Sequence, residues 1–149
     1  MIDDIDRSII NRIQSDFPIT TRPFHTIAAG LGLEEADVLQ RVARLRESGI
    51  IRRIGGNFVP EKLGYVSTLC AASVPDDKLA HFKKVVNSYT GVTHNYRRKN
   101  HFNVWFTFIA PSREIIQQNL EEISRQTGVE RILNLPATRV YKIKAEFTL

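Results

Sequence analysis

The 149-residue sequence predicts an α/β (α+β) chain of two units, a winged helix-turn-helix over residues 1–60 and a ferredoxin-like β-α-β-β-α-β unit over 61–149. Three observations predict it. The first sixty residues carry apolar stripes at helical spacing, closed by one short β-rich run with a Gly-Gly turn. Beyond them, alternating and helical-period segments interleave in the order of the split βαβ arrangement. The excess of basic charge lies in that second part: residues 1–64 hold nine Lys/Arg against nine Asp/Glu, and residues 65–149 hold twelve against seven.

Taken in order, Ile5, Ile9, Ile10 and Ile13 form one stripe of a helix over 4–15, with Asp3 or Asp4 as N-cap. A second short helix over 24–30 ends at Gly30-Leu31-Gly32, and a third runs from Glu34 to Ser48 with Val38, Leu39, Val42 and Leu45 on one face. Gly49 follows as the glycine that closes such a helix. Ile50 to Val59 then reads as a hairpin about Gly55-Gly56. In the second unit, Tyr65–Val74 is a strand, and Asp76-Asp77 caps a helix to Tyr89. Gly91–Arg98 and His101–Ala110 pair through a tight polar turn. Ser112 caps a helix to Thr127, and the last strand covers either Val129–Leu133 or Thr138–Phe147.

Composition narrows the classes. Hydrophobic residues are 42%, enough for a packed core. No run approaches the roughly 18–20 apolar residues of a membrane span. The start, MIDDIDRSII, lacks the basic-then-apolar order of a secretory signal, so a cytoplasmic protein is expected. The lone Cys70 sits in the apolar run TLCAASV and reads as a buried structural thiol; it excludes an intrachain disulfide framework. There is no Gly-rich phosphate loop, no GxSxG elbow and no HExxH pair.

One stretch stands out, His94-Asn95-Tyr96-Arg97-Arg98-Lys99-Asn100-His101-Phe102-Asn103-Val104-Trp105. It packs three cations, two of the four histidines and the only tryptophan into a hairpin. Phe102, Val104, Phe106 and Phe108 alternate toward the helices, which leaves His101, Asn103, Trp105 and Thr107 on the other face. On the neighbouring strand His94, Tyr96 and Arg98 share one face, and Thr93, Asn95 and Arg97 the other. Which set joins the His101 face depends on the register.

With IDDIDRSIINRI as its first helix and LQRVARLRESGIIRR as recognition helix and wing, the whole chain resembles the Lrp/AsnC family of amino-acid-binding transcription regulators. Three features depart from a regulator. The recognition helix would begin Leu33-Glu34-Glu35-Ala36-Asp37, putting carboxylates where such a helix meets DNA. The first half has no net positive charge, although phosphate neutralisation drives non-specific binding. Arg41, Arg44, Arg46, Arg52 and Arg53 remain as candidate contacts to a DNA backbone, but the zero net charge favours reading them as a solvated, salt-bridged face. The family's Gly- and Asp-containing effector hairpin is replaced by HNYRRKNHFNVW.

That segment, THNYRR followed by FNVWFTFIAPS, resembles the Lrp/AsnC-related subunits of siroheme decarboxylase, enzymes of the alternative heme and heme d1 pathways. The resemblance implies removal of CO2 from the two acetate side chains, at C12 and C18, to give 12,18-didecarboxysiroheme. It also implies a paralogous subunit as partner, a tetrapyrrole substrate and no separate organic cofactor, while the acidic helix start and the zero net charge of the first half argue against DNA binding. Such a substrate asks for Arg or Lys at its carboxylates, aromatic walls for its ring, imidazole for its iron and a proton donor for the carbon left behind. On this basis His94, His101 and Tyr96 are the candidate catalytic residues, with His94 also the candidate axial ligand to the substrate's iron. Arg97, Arg98, Lys99, Asn95, Asn103 and Trp105 are the candidate substrate-binding residues. The alternatives are a DNA-binding regulator that senses heme or siroheme, and a non-catalytic subunit that stabilises an active paralogue.

Overall fold

Asp3 opens α1 (Asp4–Ser15) with a capping box: its carboxylate accepts the Asp6 N–H at 2.7 Å, while the Asp6 carboxylate accepts the Asp3 N–H at 3.2 Å. Pro23 starts α2 (Pro23–Leu31), where the missing N–H is no loss, and Gly32 ends it in the left-handed region at φ 67°. The third helix, α3, spans Glu35–Glu47. Ile9, Ile27, Ala28, Val38, Val42, Leu45 and Ile51 are the buried residues that hold these helices together.

The structure is a computed structural model that describes residues 2–56, 58–142, 147 and 149. The chain separates into two compact units, residues 1–57 with 142–149, and residues 58–141. The tail that the sequence division assigned to the second unit thus groups with the first. Gln14 meets it there, its Oε1 accepting the Phe147 N–H at 3.0 Å.

The expected wing hairpin does not form: among the described residues of 50–59 there is no strand. Only Ile51 is buried, whereas Ile50, Ile54, Phe58 and Val59 are exposed. A two-stranded ribbon is marginal without a face to pack against, and of the apolar residues described in this stretch only Ile51 reaches the core.

In the second unit a 3-10 turn, Pro60–Leu63, leads to β1 (Val66–Ala72). It continues through α4 (Leu79–Ser88), β2 (Val92–Arg97), β3 (Val104–Ala110), α5 (Arg113–Thr127) and β4 (Ile132–Leu135). The sheet order is β2-β3-β1-β4 with every pair antiparallel, the ferredoxin-like order. The last strand therefore lies nearest the first of the two sequence candidates. Residues 138–142 form no strand, and 143–146 lie outside the described residues.

One sheet face is packed. Cys70 and Ala72 from β1 and Val104, Phe106, Phe108 and Ala110 from β3 meet Phe82 and Val86 of α4 and Ile116, Leu120 and Ile123 of α5. Phe82 and Phe106 meet edge-on at 6.3 Å. Two local expectations change. Asp76 and Asp77 do not cap α4; they form a 3-10 turn with no side-chain cap, since the Asp76 carboxylate is drawn to Arg97. The third strand begins at Val104 rather than His101, because Asn103 turns its amide onto Val74 instead of continuing the alternation.

Candidate active site

The register that the sequence left open is set by an irregularity in β2. Val92 lies opposite Phe108, on the packed face, yet His94 lies opposite Thr107 and Tyr96 opposite Trp105, with a bulge between Val92 and His94. In a regular strand Val92 and His94, two positions apart, would share a face. With the bulge, His94 and Tyr96 join Trp105 and Thr107 on the open face, while Asn95 and Arg97 fall on the helix side opposite Phe106 and Val104. Gly91 makes the approach possible: a Cβ there would sit 2.1 Å from the Ile109 carbonyl oxygen, which lies beside the hydrogen bond from the Ile109 N–H to the Gly91 oxygen at 2.9 Å.

On the open face Leu69, His94, Tyr96, Arg98, Trp105 and Thr107 line a shallow recess of about 500 Å³. The His94 and Tyr96 rings lie nearly parallel, 24° apart with centroids at 6.0 Å. The His94 Nδ1 is 3.0 Å from the Thr93 hydroxyl, which leaves Nε2 as the nitrogen available to a ligand. Trp105 is fixed by its indole N–H, which donates to the Phe102 carbonyl at 2.7 Å. The recess thus offers an imidazole, a phenol, a guanidinium and a large apolar wall at one place, groups suited to an anionic, flat, unsaturated ligand.

A second recess, of about 560 Å³, lies at the β2–β3 turn and is lined by Asp76, Arg97, Arg98, Lys99, Asn100 and Asn103. Here Arg97 donates to Asp76 at 2.8 Å, an exposed pair of modest strength. Arg98 is the one cation that lines both recesses.

The remaining candidates stand apart from the open-face recess. The Asn95 amide donates to the Asn87 side chain at 2.8 Å, toward α4. His101 lines neither recess; it packs edge-on against Phe102, and its Nε2 lies 3.3 Å from Arg131. Asn103 spends its amide on the Val74 backbone. Conversely, Leu69, Phe106, Thr107, Asp76 and Asn100 belong to the recesses without being among the candidates. Strand parity already put Thr107 beside Trp105, and Leu69 is the outward apolar residue of β1, whereas no pattern marks Asp76 except its place at a helix start.

In the first unit, the arginines of α3 are engaged internally. Arg41 bonds Asp3 at 2.7 Å and Asp6 at 2.8 Å, and Arg44 bonds Asp6 at 2.6 Å. Burial pushes the Asp6 carboxyl up, but the Arg41 hydrogen bond, the Asp3 N–H and the Arg44 charge outweigh it and hold the group below the ordinary value. At the acidic start of the same helix, Glu35 is paired with Arg22.

Comparison with known proteins agrees with both units. Residues 6–52 match the siroheme decarboxylase NirDL-like HTH domain, and residues 62–142 match the AsnC-like ligand binding domain. The siroheme decarboxylase alpha subunit of Desulfovibrio desulfuricans is 50% identical over 148 residues, covering 99% of this chain and 85% of that protein. Among solved structures, the siroheme decarboxylase NirDL superposes with a TM-score of 0.68 at 32% identity over 97% of this chain. This chain spans only 47% of that one, about half its length. The same protein in co-complex with an iron-uroporphyrin III analogue gives a TM-score of 0.66 at 31% identity, over 96% of this chain and 48% of that one. E. coli AsnC, at 18% identity and a TM-score of 0.81 over 98% of both chains, shares the fold. The chain belongs to the siroheme decarboxylase family, built on the AsnC-like architecture.

Proposed function

We propose that this chain is an alpha-type subunit of a siroheme decarboxylase, acting on the two acetate side chains at C12 and C18 of siroheme to give 12,18-didecarboxysiroheme. The observation that carries this reading is the open-face recess, where His94, Tyr96, Arg98 and Trp105 converge. In each event the bond from the methylene carbon to the carboxylate breaks, CO2 leaves, the electron pair stays on the carbon and a proton converts it to a methyl group. One proton is consumed per CO2. The macrocycle of the substrate delocalises that electron pair, so the reading requires no separate organic cofactor.

This chain supplies positioning and the proton. Arg98 holds a carboxylate by its planar fork, and Trp105 and Leu69 wall the ring. A single imidazole nitrogen cannot both ligate iron and deliver a proton, so the two tasks divide: His94 Nε2 faces the substrate's iron and the Tyr96 hydroxyl carries the proton. His101, outside both recesses, takes no part in that step. A recess open on one side covers one face of a flat ring. The other face needs a second wall, which a paralogous subunit would provide; a NirDL chain about twice as long as this one supports that reading.

The test is anaerobic incubation with siroheme, alone and with the paralogous subunit, reading product masses. Successive loss of two CO2 is expected with the pair present. Tyr96→Phe should keep siroheme binding and lower turnover by about 10²-fold or more, and His94→Ala should change the absorption spectrum of the bound substrate. Siroheme that binds and keeps all its carboxylates under both conditions would sink the enzyme reading.

A further inference from the structure

Three cations stand side by side at the hairpin turn, and the structure does not treat them alike. Arg97 is turned to the helix side and held by Asp76 at 2.8 Å. Lys99 lines the turn recess alone. Arg98 lines both recesses and is the only one of the three that reaches the surface where His94, Tyr96 and Trp105 meet.

The main chain of Arg98 is tied to Asn103. The Asn103 main-chain N–H donates to the Ala72 carbonyl at 3.0 Å, and its own carbonyl accepts the Arg98 N–H at 2.8 Å. Its side chain closes a reciprocal pair with one residue, Oδ1 accepting the Val74 N–H at 2.9 Å and Nδ2 donating to the Val74 carbonyl at 2.7 Å. The amide therefore continues the β1–β3 ladder past the end of β1, where main-chain pairing has stopped. It pins the point from which the turn departs, and Arg98 hangs from that point by its own N–H. An amide held on both sides by a main-chain residue is placed to orient a neighbour, not to greet a ligand.

We infer that Asn103 is a positioning residue for Arg98, and that Arg98 is the cation of the hairpin committed to the open-face recess. The second half of this rests on the reading of that recess as a site for tetrapyrrole carboxylates; the first half does not.

The experiment is a double-mutant cycle on the full-length chain with its partner subunit, using Arg98→Ala, Asn103→Ala and the double variant. The probe is iron-uroporphyrin III, titrated by absorbance at two salt concentrations. Arg98→Ala should weaken binding about 10-fold or more and flatten its salt dependence. Asn103→Ala should weaken it about 3–10-fold when Arg98 is present and less than about 2-fold when Arg98 is already alanine. Losses that multiply in the double variant would make Asn103 an independent contact and overturn the inference, as would unchanged binding in Asn103→Ala. A ligand-free readout runs beside it: exchange of the Arg98 amide proton should accelerate in Asn103→Ala, and unchanged exchange overturns the anchoring. If exchange accelerates but the wild-type chain takes up no porphyrin, the anchoring stands and the carboxylate reading fails. Should Asn103→Ala not fold, Asn103→Ser, which keeps a polar group near Val74, carries the same comparisons.

Discussion

At the scale of single residues, two side chains show how environment decides chemistry. Asp6 is fully buried, yet it stays ionised because Arg41, the Asp3 N–H and Arg44 all address its carboxylate. Asp3 is lowered too, by Arg41 first and the Asp6 N–H second. Folded values below the unfolded carboxylate value of about 3.9 mean that this stabilisation is complete above about pH 4 and fades as pH falls through the folded values. Thermal unfolding followed from pH 5 to pH 2 should therefore show progressive loss for the wild type and a flatter profile for Asp6→Asn. At neutral pH, Asp6→Ala should cost about 2 kcal/mol, since it strips a buried acceptor from two charged donors. Cys70 is the opposite case: burial in the core pushes its thiol up to about 12. It should react with a thiol reagent only as fast as the second unit unfolds, and rapid modification of the native protein would contradict the packing described above.

At the scale of elements, the hairpin β2–β3 is where sequence and structure part company most instructively. Helices α1, α2, α3, α4 and α5 lie within a few residues of their apolar stripes, because a helix announces its buried face every three or four positions. The packed face of β3 was equally legible from Phe106 and Phe108. What could not be read was the phase of β2, since one bulged residue reverses every side chain after it and leaves no mark in the pattern. For that reason Arg97 and Asn95 were grouped with Arg98 and Tyr96 as candidates, although the sheet separates them. The wing failed for a different reason: β-rich residues were present, but the packing face that would have paired them was not. Gly91→Ala is the sharpest test of the hairpin. Its Cβ would collide with the Ile109 carbonyl, so the strand must shift. The expected cost is about 1–3 kcal/mol, together with altered amide shifts from Val92 to Tyr96 in a heteronuclear NMR spectrum. An unperturbed spectrum would show that the close approach is not required.

At the scale of the whole molecule, the first unit keeps the helix arrangement of a DNA reader while two α3 arginines are committed to Asp3 and Asp6. Arg41→Ala or Arg44→Ala would disturb that ion cluster, so neither isolates a DNA contact. Arg46, Arg52 and Arg53 have no ion pair among the described residues and are the appropriate substitutions. Fluorescence anisotropy with a labelled duplex at low salt should show no saturable binding below about 100 µM, the weak end of ordinary non-specific affinity. A steep salt slope that Arg46→Ala or Arg52→Ala reduces would instead restore a regulatory role. No helix among the described residues is long and apolar enough to cross a membrane. The bulge at Thr93 also has a consequence for anyone who would move this site to another protein. It works as a parity bit in the strand: copying His94, Tyr96 and Arg98 onto a related sheet that lacks it would deliver the right letters to the wrong side. A successful graft must carry Gly91 through Thr93 along with the functional groups, whereas deleting Thr93 here should iron out the bulge and leave His94 still opposite Thr107.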